Sequence, residues 1–334
     1  MGELDLQLRR LLQSCGVEHL AFYDRDRAKM VVAETPQAHS QPPDKLPAAP
    51  SPSGLERAGR QLFYILEELA PDFAELRTGA LIRTVVRVPR DSALLYQSVA
   101  TGFHLCCATP RDQVTELIAR MTEGIDDLRP AVPFSLLPHR SYLSRYMTEN
   151  TRTAKPGRTA NRVPEVTTTS PATGTSGTSS TSRATDVTDV SPYTVDSPAG
   201  TPAELQDLLR TALGVEGLHY VAHYAAGVPT CTADIFRHRA LSSHFGTSTT
   251  PQQRRDKYSL LGQLLPGVTR RMDTSLHALL EGRIHQIVLN VDQGAVYFQQ
   301  LKDGHYLVAV SLDHSRLAEA DRHLERLAAD LARE

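Results

Sequence analysis

The residues that could bind a metal ion include 13 histidines, of which His219 and His223 lie four positions apart. Both fall in a predicted strand, where residues four positions apart lie about 13 Å from each other along one face. A single metal ion needs its ligand atoms within roughly 2 Å. We therefore predict no metal at this pair, and we interpret His238 and His244, which lie among arginines, as part of a solvated basic loop.

The 334 residues contain none of the common catalytic motifs. A phosphate-binding loop of the GxxxxGK type, a GxGxxG turn between a strand and a helix, and the HExxH and GxSxG motifs are all absent. The four cysteines, at positions 15, 106, 107 and 231, show no CxxC spacing and fit free, buried thiols. The sequence thus predicts a binding protein with no cofactor, no metal and no catalytic residues, rather than an enzyme.

Charge and hydropathy exclude two further classes of partner. With 36 Lys and Arg residues against 38 Asp and Glu residues, the formal charge is −2, so no broad surface for nucleic acid is expected. No apolar run approaches the ~20 residues of a membrane-spanning helix, and we expect a cytoplasmic protein without a membrane span. Three cations, Arg254, Arg255 and Lys257, begin a predicted long helix, where positive charge is unfavourable. They are either a solvated helix start or residues with another use.

The elements that position these residues occur twice. The sequence GVEHL of residues 16–20 returns as GVEGL at residues 214–218, and ALLYQSVATGFHL of residues 93–105 returns as AVYFQQLKDGHYL at residues 295–307. Both repeats are separated by about 200 residues, which is typical of a duplicated domain. Apolar periodicity predicts the same order in each copy: a helix, two strands, a long helix, three strands and a final helix.

Composition divides the chain into two domains and the segments between them. We predict a first domain at residues 1–126, with a Pro-rich loop at 36–54, and a second domain at residues 202–334. Residues 148–201 are almost entirely Thr, Ser, Pro, Ala and Gly with scattered charges, and we predict a disordered linker there. Residues 127–147 are more apolar, and they either pack back on the first domain or form a short partner-binding segment.

Together these features resemble the roadblock / dynein light chain superfamily. The resemblance rests on the order of elements, the GVExL entry to the first strand, the AAGVP hairpin at residues 225–229 and the strand pairs around Gly102 and Gly304. It implies an α+β fold of two α-β-β-α-β-β-β-α sandwiches, each a five-stranded antiparallel sheet with helices on both faces. Where the second copy has the family's glycine, Gly227, the first copy has DRDRA at residues 24–28, so its hairpin must be built differently.

In this family, domains pair edge strand to edge strand and long helix to long helix, which gives a ten-stranded sheet. The resemblance places Ile82 and Val86 on such an edge in the first copy, and Ile284 and Val288 on the edge of the second. An unpaired apolar edge invites association. These strands therefore either meet inside one chain as a pseudo-dimer or recruit a like domain from another molecule as a homo-oligomer.

The resemblance also implies a function. It points to a non-enzymatic regulator or scaffold that binds a Ras-like small GTPase, with a contact surface formed by Leu62, Leu66, Leu69, Leu261, Leu265 and Arg270. It also implies that the cations at the start of the second long helix could contact acidic groups of that partner. An alternative is a structural adaptor that only self-associates or pairs with other roadblock proteins. A ligand-sensing domain is a third possibility, and it needs an enclosed pocket.

Overall fold

The computed structural model describes residues 2–33, 51–76, 78–89, 92–132, 193–246, 249–277, 279–280 and 282–333. Most of the predicted Pro-rich loop lies outside these ranges, and so do residues 133–147 of the predicted extension and most of the predicted linker. The helices and strands below all belong to a single structural unit.

The first half of the chain folds in the order that its apolar periodicity predicts. Its helices are α1 (Glu3–Cys15), α2 (Pro52–Leu76) and α3 (Val114–Leu128). Its strands are β1 (His19–Asp24), β2 (Arg27–Ala33), β3 (Leu81–Arg87), β4 (Ser92–Ala100) and β5 (Phe103–Pro110). Because α2 begins at Pro52, it takes in the last residues of the predicted Pro-rich loop.

The second half repeats this order and adds one strand before it. Its helices are α4 (Ala203–Ala212), α5 (Pro251–Leu276) and α6 (Leu317–Leu331). Its strands are β6 (Thr194–Asp196), β7 (Tyr220–Ala225), β8 (Val228–Asp234), β9 (Gln286–Val291), β10 (Gly294–Gln300) and β11 (His305–Ser311). The prediction of a disordered linker is wrong at β6, because these residues pair with β8.

Local sequence explains where the helices begin and end. α1 ends at Cys15 and is capped by Gly16, whose φ of 65° costs glycine little and whose amide donates to carbonyls of the last turn. α5 begins with a capping box, in which the Thr250 hydroxyl accepts from the Gln253 amide and the Gln253 side chain accepts from the Thr250 amide. Pro251 occupies the first helical position, where no backbone donor is needed.

The described strands form one antiparallel sheet in the order β2, β1, β5, β4, β3, β9, β10, β11, β7, β8, β6. The first five belong to the first half, and the next five repeat them in mirrored order. The coarse prediction of an α+β fold with antiparallel strands is confirmed.

The two long helices, α2 and α5, lie side by side on one face of this sheet and run antiparallel. Lys257, near the start of α5, donates to the Glu75 carbonyl at the end of α2. Gly54, near the start of α2, lies beside Leu279, just after α5. The apolar core beneath the helices is continuous across both halves. Helices α1 and α3, and likewise α4 and α6, pack together on the opposite face, where the alternate side chains of the strands point.

Candidate partner-binding surface

The two halves of the chain meet where β3 pairs with β9. Val85 lies opposite Val288 in the middle of this ladder, and Val86 is the next residue of β3 in it. Ile82 lies at a register shift of β3, and Ile284 precedes β9. The structure therefore places two of the four predicted edge residues in the ladder, and the edges of both halves are joined within one chain.

Backbone hydrogen bonds extend this junction beyond the ladder. At one end the Asp292 amide donates to the Ala80 carbonyl, and the Asp292 carboxylate accepts from the Ala80 amide at 2.9 Å. At the other end the His285 amide donates to the Arg87 carbonyl at 2.9 Å. Burial raises the pKa of the Asp292 carboxyl, although the hydrogen bond from Ala80 opposes this effect. Both ends of the ladder are therefore anchored.

An ion pair crosses the junction on the face opposite the long helices. Arg87 Nη1 of β3 lies 2.7 Å and 2.9 Å from the two carboxylate oxygens of Asp321 in α6. The same nitrogen donates to Gln286 Oε1 at 2.5 Å, and Gln286 Nε2 donates to Asp321 at 3.2 Å. The Arg87 side chain is only 7% exposed. Because a charge removed from water needs a partner, Arg87 of the first half depends on the second half.

Arg83 is a second buried arginine of β3, and no ion pair involves it among the described residues. Its Nε donates to Gln97 Oε1, and its Nη2 donates to Thr122 Oγ1 at 2.9 Å. Burial lowers the pKa of Arg83 to about 10, which leaves it charged at neutral pH. Across the junction it lies opposite Asn290. Arg83 and Arg87 are four positions apart and so share one face of an apolar strand, and this spacing is the sequence feature that could have marked them as buried groups in need of acceptors.

The leucines predicted as a partner surface belong to the core instead. None of the five is more than 6% exposed: Leu62, Leu66, Leu69, Leu261 and Leu265. Their helical spacing forms the stripe that packs on the sheet, so the same side chains are not available to a partner. Arg270 is exposed, as the prediction requires.

Other apolar side chains occupy the outer face of the long helices. Tyr64 of α2 is 49% exposed, while Leu260 and Leu264 of α5 are 61% and 48% exposed. The two leucines are one helical turn apart and therefore lie on the same side of α5. Arg271 of α5 forms an ion pair with Glu68 of α2 across this face. We name this face the helix-layer surface and define it by Tyr64, Leu260, Leu264, Arg270 and Arg271.

Two of the three cations at the start of α5 are used inside the protein. Arg254 is 2% exposed, and its guanidinium lies over the Phe245 ring, 5.3 Å from the centroid. Arg255 Nε donates to Asp234 Oδ2 at 2.6 Å. Burial opposes the charge of Arg255, but this bond and the nearby carboxylate raise its pKa overall. Neither a solvated helix start nor a partner contact describes these two residues.

In each half a tyrosine of the sheet lies across a glycine of the long helix. A Cβ added to Gly59 would lie 2.3 Å from the Tyr23 ring, and one added to Gly262 would lie 2.1 Å from the Tyr224 oxygen. Each tyrosine donates a hydrogen bond to a carbonyl of that helix, at 2.7 Å for Tyr23 and 3.2 Å for Tyr224. The two contacts are equivalent, and they hold α2 and α5 against the sheet.

His219 and His223, the pair four positions apart in the sequence, make hydrogen bonds within the protein. His223 Nδ1 lies 2.5 Å from Thr230 Oγ1, and its Nε2 lies 3.2 Å from His305 Nδ1. Burial, assisted by His305, lowers the pKa of His223 to about 4. His219 Nδ1 accepts from the Leu312 amide at 2.8 Å. Within the described ranges no group of three or more His, Cys, Asp or Glu residues is placed to hold a metal ion.

Two further histidines, His104 and His238, contact other residues of the protein. His104 stacks on Tyr96 with ring centroids 5.0 Å apart and lies 5.6 Å from the Phe63 ring. Neither of its ring nitrogens has a hydrogen-bond partner in the described structure, and burial lowers the pKa of His104 to about 4. In the predicted basic loop, His238 Nδ1 accepts from the Ala240 amide at 3.1 Å.

The four cysteines are free and buried, as their sequence positions predict. Burial raises the pKa of the Cys231 thiol to about 11 and also raises that of Cys106. Because the thiolate is the reactive form, neither residue is poised as a nucleophile.

The described residues include no helix that is long and apolar enough to cross a membrane. Neither protein-family models nor curated proteins match this sequence. The likeness to the roadblock superfamily therefore rests on the quoted residues and on the order of elements.

Proposed function

We propose that this protein is a non-enzymatic regulator or scaffold, which binds a Ras-like small GTPase through the helix-layer surface and uses its two halves as a pair of roadblock modules. The exposure of Leu260 and Leu264 on one side of α5 carries the proposal. Contiguous exposed apolar residues on a folded surface are typical of protein contact sites. The resemblance supplies the class of partner.

The setting of α2 and α5 supports this surface. Each helix is fixed to the sheet by its tyrosine–glycine contact, so the outer face is formed before a partner binds. A preformed surface loses little conformational freedom on association. Burying a fully exposed leucine contributes about 1.5–3 kcal/mol. Leu260 and Leu264 are about half exposed, so each supplies about half of this to the stability of a complex.

The charges beside the leucines suit a partner with an acidic rim. Arg270 is exposed, and Arg271 forms an exposed ion pair with Glu68 in the part of the chain that the structure describes. Exposed ion pairs contribute little to stability, so Arg271 can exchange Glu68 for an acidic group of a partner at small cost. Such contacts mainly increase the rate and specificity of association.

The alternative is a structural adaptor that assembles with itself or with other roadblock proteins. One observation favours it: among the described strands, β2 pairs with β1 only, so one of its edges is free of strand partners. This edge carries Arg27 and Lys29, and charges of this kind discourage edge-to-edge pairing. We therefore place the adaptor second.

Binding of the full-length chain to a panel of Ras-like GTPases tests the proposal. Each GTPase, taken from the organism that encodes the chain, is loaded with GDP or with a non-hydrolysable GTP analogue, and affinity is measured by calorimetry. We expect at least one GTPase to bind in a nucleotide-dependent manner. Absence of nucleotide-dependent binding across the panel rejects the proposal. Light scattering on the free chain then examines the adaptor, which requires concentration-dependent assembly.

Paired variants locate the contact. Leu260→Asp with Leu264→Asp places two charges on the helix-layer surface and should weaken binding at least tenfold. Leu6→Asp is the matched control, because Leu6 is 42% exposed but lies on α1, on the other face of the sheet. Equal loss of binding in both variants contradicts the assignment of the surface.

A further inference from the structure

At structurally equivalent positions, β3 of the first half and β9 of the second half carry different residue types. Arg87 and Asn290 hold the same place in the two halves, because each lies opposite the alanine at the second position of the following strand. Four residues earlier, Arg83 and Gln286 share a second place. The first half thus carries arginine at both places, and the second half carries an uncharged amide at both.

In the β3–β9 ladder, the first of these two positions in one half lies opposite the second position in the other half. Arg87 lies opposite Gln286, Arg83 lies opposite Asn290, and Val85 lies opposite Val288 at the centre. Two first halves paired in this register would set each Arg87 opposite an Arg83. Both arginines are buried, at 6% and 4% exposure. Like charges on directly opposite residues destabilise strand pairing, and exclusion of water strengthens their repulsion.

The carboxylate that neutralises Arg87 also belongs to the second half alone. Asp321 is the fifth residue of α6, and the fifth residue of α3 is Ile118. A second copy of the first half would therefore offer Arg87 an isoleucine. The second half of the same chain offers Asp321 at 2.7 Å.

On the other face of the sheet, the long helices α2 and α5 also carry opposite charges at equivalent positions. Gly59 and Gly262 hold equivalent places against their tyrosines. Nine residues later come Glu68 and Arg271, which form an ion pair between α2 and α5. Pairing of like halves would bring Glu68 to Glu68, or Arg271 to Arg271. The exposed Glu68–Arg271 pair contributes little to stability, but like the buried Arg87–Asp321 pair it favours pairing of a first half with a second half.

We infer that the β3–β9 junction is a selective interface, at which the first half accepts the second half of its own chain and rejects a second copy of itself. The selection rests on two features: two first halves would bring buried arginines opposite each other, and Arg87 finds the Gln286 amide and the Asp321 carboxylate in the second half. The chain closes on itself, and neither β3 nor β9 is available to another molecule.

Cysteines at the centre of the junction test this choice in the full-length chain. Val85→Cys combined with Val288→Cys places thiols on directly opposite residues, within reach of a disulfide. Refolding under oxidising conditions should give a cross-linked monomer. Val85→Cys alone brings two introduced thiols together only if two first halves pair, and Val288→Cys alone only if two second halves pair. We expect both single variants to remain monomeric, and a disulfide-linked dimer through either introduced cysteine overturns the inference.

Charge variants test the cause of the selection. Gln286→Arg with Asn290→Arg recreates the arginine-on-arginine contact inside one chain. We expect the β3 and β9 amides to lose at least tenfold in hydrogen-exchange protection. Adding Arg83→Gln and Arg87→Asn, together with Ile118→Asp and Asp321→Ile, exchanges the arginines, the amides and the neutralising carboxylate between the two halves and should restore protection. Unchanged protection in the first variant, or no restoration in the second, contradicts a charge-based selection.

Discussion

The Tyr224 side chain lies so close to Gly262 that a Cβ on this glycine would be 2.1 Å from the tyrosine oxygen. On the other side, Tyr306 stacks on Tyr224 with ring centroids 4.7 Å apart, and it donates to the Gly262 carbonyl at 3.1 Å. Two aromatic residues of neighbouring strands therefore hold one point of the α5 backbone. This point sets how closely α5 approaches the sheet.

Gly262→Ala should destabilise the protein by about 1–3 kcal/mol, because the added methyl group forces Tyr224 or α5 to move. The free energy of unfolding in urea measures the effect. Gly267→Ala is the control in the same helix, since nothing lies within 4 Å of its added Cβ. That change should stabilise the protein by about 0.5–1 kcal/mol. Similar effects of the two substitutions contradict the close contact.

Two adjacent leucines of α5 should differ strongly in what they contribute to stability. Leu265 is fully buried, so Leu265→Ala should cost about 2–5 kcal/mol of stability. Leu264 is 48% exposed, and Leu264→Ala should change stability by less than about 0.5 kcal/mol. Chemical denaturation measures both. A large cost for Leu264→Ala contradicts its place on the helix-layer surface.

The Asp234 carboxylate should contribute strongly to stability. It accepts from Arg255 Nε at 2.6 Å and from the Phe236 amide at 3.0 Å, and it is 1% exposed. Asp234→Ala should cost about 3–5 kcal/mol, because it leaves a largely buried guanidinium without its partner. Asp207 pairs with Arg210 on the surface, and Asp207→Ala should cost less than about 1 kcal/mol. Thermal unfolding distinguishes the two, and equal shifts contradict the difference in burial.

Stability should fall as the pH drops from about 6.5 to 4. Burial lowers the pKa of His104 from 6.5 to about 4. The unfolded chain therefore binds a proton in this range that the folded chain does not, and acid favours unfolding. His104 contributes up to about 3 kcal/mol to this change, and His223 acts in the same direction.

His104→Phe isolates this contribution. Phenylalanine keeps the aromatic contacts with Tyr96 and Phe63 but cannot be protonated. Denaturation at several pH values should show a shallower slope in the variant than in the wild type between pH 4 and 6.5. A slope unchanged by the substitution means that His104 is not the group responsible.

The order of elements could be predicted because it follows from local patterns. Apolar residues recur at helical or alternating spacing, and Gly16 marks the end of α1. The same spacing misled the choice of partner surface. Periodicity shows that Leu261 and Leu265 share a side of α5, and the sheet that covers this side is brought there by distant parts of the chain. The exposed Leu260 and Leu264 fall outside the stripe, which is the feature that distinguishes them.

The polar contacts of the site could not be predicted, because they join residues far apart in the sequence. Arg87 and Asp321 are separated by 234 positions. Arg254 is buried because the Phe245 ring covers it, a contact that helix patterns do not encode. The β6 strand pairs with β8 through backbone groups, so its polar composition concealed it.

An approximate twofold axis relates the two halves and passes between Val85 and Val288, which lie opposite each other at the centre of the β3–β9 ladder. This arrangement has an evolutionary consequence. In a homodimer one gene supplies both sides of the axis, so every substitution appears twice. Here the two sides are encoded separately, and each can change alone. α5 carries Leu260 and Leu264 where the equivalent places of α2 carry Arg57 and Gln61. Of the two long helices, α5 alone therefore presents this pair of exposed leucines, and a partner that recognises the pair should bind with one-to-one stoichiometry.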